Sequence, residues 1–535
     1  MLIKGERAPW TTLGELVAAR AAQRNDALWI EVDGKRLTWH EVERLAGRVA
    51  AALAKLGVAK GDRVSCFMAN SVEMLFVWFG TVKLGAIWNP INAGLRGDDL
   101  AYVLADVAPK VLVVDADNAH KIDELSGSGN YRRYVVGAAG LAGYEPFEAL
   151  LGEDAPPPRV EIGPADPAVL IYTGGSTGLP KGALLPHFAW ICAGYRYREA
   201  FAATEADRNF TTLPLYHVGA LMGGVIAPLI CNMSCVVDRS FSLSNYWRRV
   251  RESEATIADI LSTVMILLCR QPPAPSDRDH KLRACIAVVS QAPAHLPAEF
   301  SRRFGVKLVN LYSLTEAGGL LAIFNPIDSP RPEANGKPWG WADLRIVGDN
   351  DESLPPGTTG QIVLRPTVPY SFMLGYYNNP VRTLECYGNL WFHTGDLGYL
   401  DEDGWLFFTG RQAHWLRRRG ENISAHEVES ILSRYPGIAE VVVVGVPAEL
   451  GDEEVKAFII AEPGRAIDPV ALVRWCETKM AGFKVPRFIA FIEDFPRSAA
   501  KREVERHKLR AMPNTDAWDS DKALGRRRHG KPAGQ

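Results

Sequence analysis

The sequence predicts a layered α/β protein, with a large N-terminal domain of buried, largely parallel sheets and a small α+β domain after it. Three observations carry that expectation. Helix-period segments alternate with short apolar runs of strand length over the first 400 residues, the pattern changes near residue 410, and mixed α+β character follows Arg411. Such alternation packs helices against mainly parallel strands, which are then buried and read as continuous apolar runs.

The elements follow in order. Thr38 and Glu41 form a T-x-x-E capping box, and apolar positions 42, 45, 46, 49, 53 and 56 line one helical face before Gly57 supplies the stop. A strand is expected at 63–68, a helix at 72–84, and strand-length runs at 86–88, 110–115, 285–290 and 306–311. Residues 1–411 therefore read as one large domain. Beyond it, Ser424 and Glu427 repeat the capping-box signal, and Val428, Ile431 and Leu432 continue that helix to Pro436-Gly437. Strands at 441–444 and 455–460 and a helix at 470–480 complete a second domain over residues 412–512, long enough to fold as its own unit. Residues 513–535 are polar and end in Gly525-Arg526-Arg527-Arg528-His529-Gly530-Lys531, so they are read as a solvated, disordered tail.

Composition narrows the function. Sixty Lys and Arg stand against 62 Asp and Glu, a net charge of −2, which argues against a nucleic-acid binder working by global charge. The longest low-polarity run, 218–231, is too short for a bilayer and is interrupted by Gly219, Gly223, Gly224 and Pro228, so no integral membrane segment is expected. The N-terminal Met1-Leu2-Ile3-Lys4-Gly5-Glu6-Arg7 lacks the apolar core of a signal peptide. Eight cysteines, mostly within apolar stretches, read as small buried hydrophobes in a reducing compartment. Cys231 and Cys235 have no second pair at zinc spacing. A cytoplasmic enzyme is the expectation.

The strongest local signal is Ile171-Tyr172-Thr173-Gly174-Gly175-Ser176-Thr177-Gly178-Leu179-Pro180-Lys181-Gly182. A strand runs into glycines and hydroxyls, and a lysine ends the loop. Glycines let backbone N–H groups approach an anion, hydroxyls add donors, and Lys181 adds a compact charge, so the loop suits phosphate. It is not a Walker A loop, because Pro180 precedes the lysine and Gly182 follows it. Taken alone, a Gly-rich hairpin turn would explain it too.

Further segments follow at intervals: Leu213-Pro214-Leu215-Tyr216-His217, Tyr312-Ser313-Leu314-Thr315-Glu316, Trp391-Phe392-His393-Thr394-Gly395-Asp396, Gly410-Arg411, and Phe483-Lys484-Val485-Pro486-Arg487. In this order they resemble the AMP-forming acyl-CoA synthetase, adenylation-domain and luciferase superfamily, over roughly residues 10–510. Gln271-Pro272-Pro273, the stretch Asp277 to Arg283, and Arg418-Arg419-Gly420-Glu421-Asn422-Ile423-Ser424 look most like its crotonobetaine/carnitine–CoA ligase branch. The resemblance implies ATP-dependent joining of a carboxylic acid, such as a fatty acid or a carnitine-like acid, to coenzyme A through an acyl-AMP intermediate. ATP, Mg²⁺ and CoA would be required, with AMP and pyrophosphate released.

By that resemblance each residue acquires a role. Thr173, Gly174, Gly175, Ser176, Thr177, Gly178 and Lys181 would hold the β- and γ-phosphates. Glu316 would be the Mg²⁺ ligand, since a hard cation takes carboxylate oxygens, and Thr315 would bond the α-phosphate. Tyr312 would offer a ring face to adenine, with Gln291 and Ala292 on the other wall. Asp396 would accept from the ribose hydroxyls and Arg411 would contact ribose or phosphate. His217 would border the acyl and CoA channel, with Gly420 and Lys484 contributed to the cofactor site by a mobile C-terminal domain.

Two places depart from the family pattern. The hinge reads Gly410-Arg411-Gln412-Ala413, with Ala413 where the family usually has a charged residue. The lysine expected to bridge carboxylate and α-phosphate falls in Pro496-Arg497-Ser498-Ala499-Ala500-Lys501-Arg502-Glu503, where the register leaves Lys501 as the expected catalytic lysine and Arg502 as its rival. Two other readings stay open: an adenylating enzyme that loads a carrier protein, and a catalytically impaired nucleotide-binding relative. The identity of the acid and the oligomeric state, monomer or homodimer, are also open.

Overall fold

The computed structural model describes residues 1–525 except 126–128, 139, 153–155, 174–179, 289–295, 319–322, 325–326, 328–329, 332, 339, 349, 412–414, 419–420, 449–452, 497–503 and 505. Two large sheets dominate the first domain. One has eight strands, in the order Gly375–Tyr376, Lys181–Pro186, Pro167–Thr173, Ile87–Ile91, Arg63–Phe67, Val111–Asp115, Arg132–Val136 and Glu145–Pro146. From Pro167–Thr173 to Glu145–Pro146 the pairing is parallel, as the apolar runs predicted. The other has nine, with Lys307–Tyr312, Ala284–Val288, Ile257–Leu261, Arg208–Thr211, Ser234–Val237 and Leu28–Val32 parallel at its centre. A third, antiparallel sheet carries Trp391–Leu400.

The Thr38 prediction holds at atomic detail. The Glu41 N–H donates to Thr38 Oγ1 at 3.2 Å, Glu41 accepts from the Thr38 N–H at 2.8 Å, and the helix runs Trp39–Lys55. Its apolar face, with Val42, Ala46, Val49 and Leu53 fully buried, packs on the helix Val72–Lys83. Gly80 lets the two approach: a Cβ there would lie 3.0 Å from the Ala46 carbonyl oxygen. The apolar run at 218–231 forms Val218–Leu221, a π-turn at Met222–Ile226, and Ala227–Cys231. No helix among the described residues is long and apolar enough to cross a membrane. All eight cysteines are buried and free.

The C-terminal domain is built on a four-stranded sheet, Ile438–Pro447, Glu453–Ala461, Phe488–Phe491 and Trp518–Asp519. Its last strand corrects one expectation. The tail expected to be disordered from 513 is ordered through 525: Trp518–Asp519 pairs antiparallel with Phe488–Phe491, and the helix Ser520–Ala523 follows. Asp519 is buried against Arg487, with Oδ2 3.3 Å from the guanidinium, so a long-range ion pair holds a segment whose local composition is polar. Residues 526–535 lie outside the described residues.

Candidate active site

The candidate residues sit on strands of three sheets of the first domain and on the turns that follow them. Pro167–Thr173 and Lys181–Pro186 form an antiparallel pair in which Thr173 faces Lys181, and the Thr173 hydroxyl reaches the Lys181 carbonyl at 3.5 Å. The phosphate-type loop therefore bridges two adjacent strands, although Gly174, Gly175, Ser176, Thr177 and Gly178 themselves lie outside the described residues. Lys181 is buried, and its ammonium sits 5.5 Å from the centroid of the Tyr376 ring. Burial, and then the nearby Arg382, lower its pKa.

Tyr376 links this lysine to Glu316. The phenol donates to Glu316 Oε1 at 2.8 Å, so lysine, ring and carboxylate form one cluster. Burial first, and the Glu316 charge second, push the phenol pKa far up. Glu316 lies with Thr315 in a single 3₁₀ turn, Thr315–Ala317, after the strand Lys307–Tyr312. That turn is pinned from two sides: Met373 N–H donates to the Glu316 carbonyl at 2.9 Å, and buried Arg196 donates to the Ala317 carbonyl at 3.0 Å. Gly318 ends it at φ +80°, and a Cβ there would fall 1.8 Å from the Ser371 carbonyl oxygen, so only glycine fits.

Tyr312 and Asp396, 84 residues apart, meet directly. The Tyr312 hydroxyl donates to Asp396 Oδ2 at 2.8 Å, and the Tyr312 ring lies 6.2 Å from Phe408. Asp396 is buried, its N–H bonded to Thr394 Oγ1 at 3.0 Å, and Thr394 donates to the Ile362 carbonyl at 2.7 Å. Arg411 is the cross-strand partner of Asp396, so the backbone puts it beside this pair. Gln291, Ala292, Gly420, Lys501 and its rival Arg502, and Ala413 all lie outside the described residues.

His217 meets the second domain. Its Nε2 is 2.9 Å from Glu421 Oε1, and Asn92 donates to the same oxygen at 3.3 Å. For the imidazole, burial lowers the pKa but the Glu421 carboxylate outweighs it, and the net shift is upward. Burial also disfavours the Glu421 charge, yet His217, with Asn92 and Lys484 adding to it, outweighs that and holds its pKa below the usual value. Lys484 bridges the two domains. Its ammonium is buried between Asp99 Oδ2, at 2.8 Å, and Glu427 Oε1.

The structure joins Lys181 to Glu316 through Tyr376, joins Tyr312 to Asp396, and sets His217 against Glu421; the sequence did not point to Tyr376, Asn92, Asp99 or Glu427 as site residues. A carboxylate, a lysine and a hydroxyl-bearing loop together suit a polyphosphate with a hard cation. Among the described residues no cluster of three or more His, Cys, Asp or Glu could hold a metal by itself. Glu316 still fits Mg²⁺, which needs one or two carboxylates beside phosphate oxygens and waters.

Known proteins resemble this chain in sequence and in fold. The AMP-binding enzyme family matches residues 17–377, and its C-terminal domain matches 427–502. A crotonobetaine/carnitine–CoA ligase of Salmonella paratyphi A is 30% identical over 515 residues, 94% of this chain and 98% of the relative. The o-succinylbenzoate CoA synthetase of Bacillus subtilis, a double mutant bound with its product analogue OSB-NCoA, superposes with TM-score 0.82 at 23% identity, over 93% of this chain and 98% of that one. The same synthetase in complex with AMP gives 0.66 over 94% and 98%, at 23% identity. A fatty acyl CoA synthetase of Mycobacterium tuberculosis gives 0.68 at 27% identity, over 94% and 98%.

Proposed function

The chain belongs to the AMP-binding enzyme family of adenylate-forming ligases, and from that premise we propose that it makes an acyl-CoA thioester from a free carboxylic acid, ATP and CoA. The observation that carries the proposal is the Lys181–Tyr376–Glu316 cluster at the mouth of the Thr173–Lys181 loop. It supplies a cation, a fixed carboxylate and a route to phosphate in one place.

In the first step the acid's carboxylate oxygen attacks the α-phosphorus, a P–O bond forms, and the bond to pyrophosphate breaks. Both reactants are anionic, so the site must offset their repulsion. Lys181 and the loop hold the leaving phosphates, and Thr315 bonds the α-phosphate. Mg²⁺ held by Glu316 would neutralise charge on the phosphate oxygens. Tyr312 fixes Asp396, which accepts from the ribose hydroxyls and orients the nucleotide. Lys501, or Arg502 in the other register, would bridge carboxylate and α-phosphate.

In the second step the CoA sulfur attacks the acyl carbon, the C–O bond to AMP breaks, and the thiol proton is lost. His217, oriented by Glu421, borders that path. The contact between these two residues supports an arrangement suited to the second step, as does the higher similarity to the product-analogue complex than to the AMP complex. The acid is best read as carnitine-like or fatty, on the strength of the Salmonella relative and the Mycobacterium structure.

The test is a screen of carnitine, crotonobetaine, C4 to C16 fatty acids and aryl acids with ATP, Mg²⁺ and CoA. Acyl-CoA, AMP and pyrophosphate are expected for at least one acid. ADP and orthophosphate as products, or acyl-AMP with no CoA thioester, would overturn the proposal.

A further inference from the structure

Lys484 stands between Phe483 and Val485, an apolar setting in which a lysine needs partners. Its side chain is 5% exposed, as are those of Asp99 and Glu427. The two acids come from different domains. Asp99 lies in the first turn of the helix Gly97–Val107, and Glu427 in the first turn of Ala425–Leu432. Burial is the largest influence on Glu427 and, with Lys484 opposing and the Asp99 charge and hydrogen bond adding to it, pushes its pKa up to about 8. Glu427 therefore keeps its proton more readily than an exposed glutamate does, which lowers the net charge the set buries.

The clasp lies on the same two segments that present the His217 contact. Asn92, which donates to Glu421, precedes Asp99 by one turn and a helix start, and Glu421 precedes Glu427 by one short strand, Glu421–Ser424. Between them the domains touch closely: a Cβ at Gly97 would lie 2.6 Å from the Thr478 carbonyl oxygen. An exposed pair, Arg434 with Asp98 at 3.0 Å, borders the junction and adds little.

We propose that Asp99, Glu427 and Lys484 form an interdomain charge clasp that holds Glu421 against His217, and that Lys484 is a positioning residue for the CoA step rather than a contact to nucleotide or CoA. The clasp itself is independent of the proposed function, whereas its role in the CoA step rests on that reading. Removing the charge of Lys484 or of Asp99 strands the groups that remain, so those substitutions release the interface strongly. Release removes neither the first domain's site nor Lys501 and Arg502, so adenylation persists.

Two measurements test this. Hydrogen exchange on the ligand-free, full-length protein follows residues 92–99, with the buried strand Arg63–Phe67 as the folding control. Lys484→Met and Asp99→Asn are expected to speed exchange at 92–99 by about tenfold or more while Arg63–Phe67 stays protected. Glu427→Gln, isosteric with the protonated acid, is expected to change it by less than about threefold. Unchanged exchange at 92–99 in both Lys484→Met and Asp99→Asn overturns the clasp. The second measurement separates the half-reactions, with crotonobetaine and octanoate in ATP–pyrophosphate exchange and their adenylates with CoA in thioester formation. Lys484→Met should slow thioester formation about 10²-fold and pyrophosphate exchange less than about threefold. A raised KM for CoA with unchanged kcat and unchanged exchange at 92–99 would make Lys484 a CoA contact and overturn the positioning role. If wild-type protein makes no thioester, the functional reading falls, and exchange at 92–99 still decides the clasp.

Discussion

Tyr376→Phe isolates the hydroxyl that reaches Glu316. The ring stays in place, because Gly375–Tyr376 pairs with Ala183 and Leu184 and the Tyr376 N–H donates to Thr383 Oγ1 at 2.8 Å. The Lys181 platform therefore survives, while the 2.8 Å bond to the Glu316 carboxylate is lost together with the hydroxyl's contact to the Cys386 thiol. A hydrogen bond to a charged group contributes about 1.5–3 kcal/mol, so if Glu316 must be held for the adenylating transition state, the rate falls about 10- to 150-fold. The assay is acid-dependent ATP–pyrophosphate exchange, with melting temperature as the control. Burial and Glu316 keep the phenol protonated, so the defect should be constant from about pH 6 to 9. A melting temperature lowered by several degrees with unchanged exchange would refute the reasoning, because the bond would then serve packing alone. Tyr376→Leu, which also removes the ring beside Lys181, should be slower again than Tyr376→Phe.

Three further outcomes follow. Glu316→Gln should lower pyrophosphate exchange by about 10²-fold or more, since a metal ligand and its charge disappear together; normal exchange in a folded variant would remove Glu316 from the site. Glu421→Gln should slow CoA acylation from octanoyl- or crotonobetainyl-AMP. The His217 pKa is raised above 6.5, so its share of the pair is full below that value and fades as pH rises past the raised one; the Glu421 pKa is lowered below 4.5, so its share fades only as pH falls past the lowered one. The loss should accordingly be largest between pH 4.5 and 6.5 and shrink as the medium turns alkaline, and a flat profile would count against the pair. Asp259, buried and held by an Asn209 N–H at 2.8 Å, has its pKa pushed up by burial to about 7. The folded state then holds a proton that the unfolded chain releases near pH 4, so wild-type stability drops as pH rises from about 4 to 7, by up to about 4 kcal/mol. Asp259→Asn should gain in melting temperature relative to wild type across that interval, and a constant difference would show that Asp259 does not carry the proton.

The parts legible in the sequence share a property: their cause is local. Thr38 and Glu41 are three residues apart and cap one helix; the strand Lys307–Tyr312 and the turn Thr315–Ala317 are adjacent, so Tyr312, Thr315 and Glu316 arrive together wherever the strand ends. Tyr376 was invisible because its strand is only two residues long and acquires its role from pairing with residues 183 and 184. The polar stretch at 518–519 was misread for the same reason, since its partner is the strand Phe488–Phe491. Asp99 and Glu427 were hidden differently. Each occupies the first turn of a helix, where an acid already has a sufficient local reason in the helix dipole, and in Glu427 a capping-box spacing as well. A complete local explanation stops the search for a distant one. What should have reopened it is Lys484 itself, a lysine between phenylalanine and valine in a segment of strand and helix ends, where burial is expected and a charge must find a partner. The informative question for such a residue is which acids elsewhere the fold could bring to it, and the two that answer are those for which local reasoning had already closed the account.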